Sequence, residues 1–200
     1  MSALFAASWL CSTGCVVDAS GPARITQWTP APNVHATRRL FTYAVSGANG
    51  GEVRAQLNRV GPLDGGDRRT DASTSMYMRW GYDLDRADDC GLTAPHVEVQ
   101  VTVVMPVWTD VNTASRGDRA EWSRYIGVLA SHEAIHERID VDAAAELAAA
   151  LARLPRRPTC DEVDASVAQA KNAAFQRMDA RNLEYDRATG HGATQGAVFY

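Results

Sequence analysis

A chain of 200 residues with 46% hydrophobic side chains and a net charge of −4 can build one well-buried domain, or one domain and a tail. Nineteen of its 20 basic residues are Arg. They form no stripe interleaved with aromatics, which argues against a nucleic-acid partner. No apolar run reaches the roughly 20 residues that a membrane-spanning helix needs.

The first residues, Ala3 to Leu10, resemble the apolar part of a signal peptide without its basic start. Ser12-Thr13-Gly14-Cys15 approximates a lipid-attachment box, with Ser12 where a branched apolar residue is usual. Both point to a secreted or periplasmic protein, with a lipid anchor as one option. Residues 16–38 are rich in Pro, Ser, Thr and Ala and lack a sustained period, as a linker does. Residues 1–38 are therefore expected to be leader and linker, and 39–200 the domain.

From Arg39 the pattern changes. Leu40 to Val45 alternates as a strand, and Gly47 to Gly51 breaks it. Val53, Leu57 and Val60 have the spacing of a short helix over 52–60, closed by Gly61-Pro62. Leu63 to Ser73 reads as a loop. Thr74 to Asp85, with Met76, Met78, Trp80 and Tyr82, reads as a strand ending in a turn over Asp88 to Gly91. His96 to Val107 carries the clearest strand signal, with Val97, Val99, Val101 and Val103 at period two. Were this strand at a sheet edge, it could bind substrate backbone by strand addition.

After a loop over 110–116, Trp122, Tyr125, Ile126, Leu129, His132, Ile135, His136 and Ile139 follow a 3.6-residue period. This long helix starts near Gly117-Asp118, with Asp118 as N-cap, and stops before Pro155 and Pro158. A second helix is expected over 161–184. A Gly-rich tail follows from Tyr185 to Gly196, costly to order on its own. The fold class is α+β: a mostly antiparallel sheet in the first half packed on two long helices. Cys90 and Cys160 are far apart and lack metal-site spacing. They are either one disulfide of an exported protein or two unrelated thiols.

The chemistry concentrates in His132-Glu133-Ala134-Ile135-His136. On a helix, residues four apart project from one face, one turn apart. Two neutral imidazoles so placed can share a tetrahedral Zn²⁺, and the intervening Glu can act as general base toward a metal-bound water. The bland alternative is an amphipathic helix whose two His merely sit beside its core. A catalytic zinc needs a third protein ligand. The Gly and His that follow this motif in metzincins are replaced by Ile139 and Asp142, so the ligand comes from elsewhere. His35 lies in the lead-in and His96 opens a strand. His191, between Gly190 and Gly192, is the preferred third ligand, with Asp186 next. Tyr185 is a candidate oxyanion donor and Asp186 a candidate acceptor for a ligand His.

Trp122-Ser123-Arg124-Tyr125, His132-Glu133-Ala134-Ile135-His136 and the run from Tyr185 to Gly192 together resemble the bacterial DUF922 family, predicted secreted zinc-dependent proteases of the zincin type. The likeness spans roughly residues 38–199. It implies a zincin-like fold, export, a peptide or protein substrate, and a role for the terminal His-Gly motif in the site. The functional expectation is a zinc metallopeptidase, with Glu133 and Tyr185 catalytic and His132, His136 and His191 on the metal. The rival expectation is a non-catalytic zinc-binding envelope protein on the same scaffold, for which Glu133 has no use.

Overall fold

The protein, described by a computed structural model for residues 23–64 and 66–200, folds as a four-stranded mixed sheet with three α-helices. The leader-like segment, with Cys11 and Cys15, lies outside the described residues. Strands β1 (Arg24–Ala31), β2 (Val34–Val45), β3 (Ser73–Arg86) and β4 (Cys90–Trp108) are arranged in the order β1-β2-β4-β3. Two of the three pairings are antiparallel, and β2 runs parallel to β4. Helix α1 (Gly50–Val60) leaves β2, α2 (Arg116–Leu151) follows β4, and α3 (Cys160–Thr189) packs along α2.

The sheet starts before the expected boundary at Arg39. Residues 24–38, expected to be linker, make β1 and the first part of β2. Strand β1 is an exposed edge, so its inward face never had to be apolar. In β2 only the small Val34 and Ala36 turn inward there, too weak an alternation to read.

Strand β4 is interior, paired with β2 on one side and β3 on the other. The condition for strand addition at β4, a free edge, is therefore not met. Its Val97, Val99, Val101 and Val103 are buried in a core shared with Tyr125, Leu129, Ala144 and Leu147 of α2. The sheet edge near α2 is β3.

Helix α2 begins at Arg116, one residue before Gly117. Its N-cap is Ser115, whose Oγ accepts from the Asp118 N–H at 3.1 Å and donates to the Asp118 carboxylate at 2.6 Å. Asp118 is the residue that Ser115 caps, bonded to it through both backbone and side chain, rather than the cap. Ser115→Ala is expected to lower stability by about 1 kcal/mol. Urea denaturation monitored by helix ellipticity measures it, and an unchanged midpoint would remove Ser115 from the cap.

Helix α3 extends past Glu184 to Thr189 and ends on Gly190 in the left-handed conformation. Tyr185 and Asp186 therefore sit on a helix, not in a tail. Cys90 and Cys160 are bonded, tying the start of β4 to the start of α3. Among the described residues no helix is long and apolar enough to cross a membrane.

Candidate metal centre

The helical spacing of His132 and His136 brings their rings to one face of α2, where α3 covers them. The two Nε2 atoms are 3.3 Å apart. Asp186 Oδ1, from the last turns of α3, is 3.2 Å from His132 Nε2 and 3.0 Å from His136 Nε2. His132, His136 and Asp186 thus form a group able to hold a metal ion. Ligand atoms about 2.0–2.1 Å from a tetrahedral zinc lie roughly 3.3–3.4 Å apart, so the observed triangle is close to the face of such a tetrahedron.

His191 lies beside this group rather than in it. Its Nδ1 is 3.5 Å from Asp186 Oδ1, and its Nε2 faces Arg68 Nη2 at 3.2 Å. The backbone explains its position. Gly190, His191 and Gly192 have successive φ angles of 56°, 54° and 83°, a left-handed turn that the two glycines make accessible. A Cβ at Gly192 would meet Ala197 Cβ at 3.0 Å and His132 Cγ at 3.3 Å. Gly192 therefore lets the chain run against the His132 ring.

Glu133 is 6% exposed and projects toward β3. Its Oε2 accepts from the Thr74 hydroxyl at 2.7 Å. Burial holds its carboxyl above the ordinary carboxylate range, partly offset by the Thr74 bond and by the two imidazoles. Glu133 and all three members of the His/Asp group line one groove of about 830 Å³. Leu63, Asp64 and residues 68–75 form one wall, and Gly190 and His191 line the groove as well.

Tyr185 does not face the groove as a free donor. Its ring stacks on His132, with centroids 4.9 Å apart and planes at 20°, and its hydroxyl meets the Gln195 side chain. Further residues that the sequence did not single out reach the site. Gln195 Oε1 is 3.0 Å from His132 Nδ1, Asn182 Oδ1 is 2.8 Å from His136 Nδ1, and Asn182 Nδ2 donates to buried Asp140 at 3.0 Å. Burial pushes the Asp140 carboxyl up to about 6. Asn182 lies inside the helix expected over 161–184, one turn before Asp186, but its spacing to His136 is set only by the packing of α3 on α2. Nothing in the sequence marks Gln195 or Thr74.

The C-terminal turn has anchors away from the His/Asp group. Arg124 donates to the carbonyls of Gly196 and Val198 at 2.7 and 2.8 Å. Phe199 is buried against Tyr125 and Trp122, at centroid distances of 5.1 and 5.2 Å. The groove wall is pinned as well: Asp71 takes a bidentate pair from Arg54 and the Tyr125 hydroxyl at 2.5 Å.

The chain matches no curated protein and no solved structure. Residues 41–192 match the model of DUF922, described as bacterial protein of unknown function. That span takes in the helix with both histidines, Asp186 and His191, and on it the chain belongs to the DUF922 family.

Proposed function

We propose that the protein is a zinc-dependent peptidase of the zincin type, acting outside the cytoplasm. The observation that carries this reading is the convergence of His132, His136 and Asp186 beside the buried carboxyl of Glu133 in one groove. Two imidazoles and one carboxylate with open positions suit a catalytic zinc. The same set also suits ferrous iron, but Glu133 between the two histidines favours hydrolysis. The Cys90–Cys160 bond favours an oxidising compartment.

When bound, zinc supplies Lewis-acid polarisation of a carbonyl and a water made acidic enough to attack at neutral pH. The chain supplies the rest. Glu133 accepts the proton of the attacking water and returns it to the amine that leaves as the C–N bond breaks. His191 and Arg68 also line the groove and are donors that can meet the developing oxyanion. Ser73 to Ser75 of the β3 edge line the same groove, so an extended peptide can pair with that strand in the role first assigned to β4.

This reading takes Asp186 as the third ligand, because it lies within reach of both imidazoles, and His191 as the neighbour that acts on substrate. Asp186→Ala should therefore lose most bound metal, whereas His191→Ala should keep it and lose turnover. Metal content by mass spectrometry, with a quenched-fluorescent peptide assay with and without chelator, tests both. Equal loss of metal in the two variants would move the ligand to His191. Wild-type protein that binds zinc but cleaves no peptide would favour the non-catalytic reading.

A further inference from the structure

Each histidine of the metal group presents Nε2 to Asp186 and Nδ1 to a side-chain amide from a different element. His132 Nδ1 meets Gln195 Oε1 from the C-terminal turn, and His136 Nδ1 meets Asn182 Oδ1 from α3. An amide oxygen only accepts, so each contact needs a proton on Nδ1. With the proton on Nδ1, a metal that takes the place of the Nε2–Asp186 contacts would meet the Nε2 lone pair. The orientation of the Asn182 amide follows from its other end, because Nδ2 donates to Asp140 Oδ1 and a reversed amide would set two acceptors together. Gln195 is held by the hydroxyl of Tyr185 at 3.0 Å from its Nε2, and that tyrosine ring is stacked on His132.

We infer that Gln195 and Asn182 are positioning residues that lock both histidines with the proton on Nδ1. The chains Tyr185–Gln195–His132 and Asp140–Asn182–His136 then aim the two Nε2 atoms at one point. Metal-binding imidazoles are commonly oriented by carboxylates, which also raise their basicity. Here the partners are neutral, so they orient the rings without adding charge beside Asp186. Gln195 lies outside the span matched by the family. It is presented by a turn that Arg124 and Phe199 hold in place. The C-terminal segment therefore belongs to the metal site without contributing a ligand. This inference rests on the metal-binding reading of the proposed function, but the tautomers can be tested apart from it.

The first measurement is on the metal-free wild-type protein. Long-range ¹H–¹⁵N correlation of the imidazoles should show Nδ1 of both His132 and His136 protonated. A ring protonated on Nε2 alone would overturn the inference whether or not the protein is a peptidase. The second is zinc affinity of variants by competition with a chromophoric chelator. Gln195→Leu and Asn182→Ala should each weaken zinc about 10- to 100-fold. Asn182→Ala also strips Asp140 of its donor, so Gln195→Leu is the cleaner probe, and its unligated thermal midpoint should stay at the wild-type value. Gln195→Glu keeps an acceptor for Nδ1 and for the Tyr185 hydroxyl, and should restore wild-type affinity. Wild-type affinity in Gln195→Leu, or failure of Gln195→Glu to restore it, would overturn the inference. A wild type with the expected tautomers but no zinc affinity would overturn the proposed function instead.

Discussion

Glu133→Gln should hydrolyse peptide about 10²- to 10⁴-fold more slowly than the wild type, the usual contribution of a positioned general base, and should bind metal equally well. Glu133 is outside the His132, His136 and Asp186 group, so the substitution removes no ligand. Gln has nearly the same shape, and its amide oxygen can still accept from the Thr74 hydroxyl that now bonds Oε2. What is lost is the capacity to take up a proton. The raised affinity of the buried carboxyl for protons is the property an amide cannot imitate. Metal content and single-turnover cleavage on the same preparation separate the two effects. A Gln variant as active as the wild type would remove Glu133 from the reaction. A variant that had lost its metal would make the residue a support of the ligands.

Removing the disulfide with Cys90→Ser and Cys160→Ser together should destabilise the folded state by about 4 kcal/mol, on the loop-entropy scale for a closed loop of this size. The bonded cysteines are 70 residues apart in sequence, and the loop between them contains β4 and the whole of α2. The same corner holds an antiparallel bridge between Cys90 and Arg157, and Arg156 pairs with Asp85 and Asp89. The exposed ion pairs stabilise little, so the covalent link is the main restraint there. The effect on the metal group should be small by comparison. Asp186 is 26 residues along α3 from Cys160, about 39 Å at 1.5 Å per residue, and it is held by α2 at its own end. Urea denaturation of oxidised wild type against the double variant, with zinc affinity measured on the folded variant, checks both statements. Coincident unfolding midpoints would show that the bridge does not stabilise the fold.

The long α2, the short α1 and the valine strand were legible in the sequence because each has a strong period and clear end signals. The H-E-x-x-H spacing was legible for the same reason: a 3.6-residue repeat places His132 and His136 together whatever surrounds them. That local geometry already contains two of the three members of the His/Asp group and the adjacent carboxyl of Glu133. The pairing of Cys90 with Cys160 was readable only as one of two possibilities, since sequence carries no distance between residues so far apart.

Everything that depends on non-local contact was decided by the tertiary structure. Strand β1 and the start of β2 were hidden because an edge strand needs little apolar patterning. β4 became interior because β3 and β2 take its two sides, a matter of strand order that no residue of β4 encodes. The end of α3 was hidden by its run of polar residues and by Gly190, which resemble a loop in isolation. Packed along α2, those residues stay helical to Thr189, and this turns Asp186 rather than His191 toward the two imidazoles. Thr74, Asn182 and Gln195 reach the site from β3, α3 and the C-terminal turn. A metal-binding face is set by short-range helical geometry, which sequence spacing records. The carboxylate and the amides that meet that face are chosen by whichever elements fold against it, and only the packed chain specifies them.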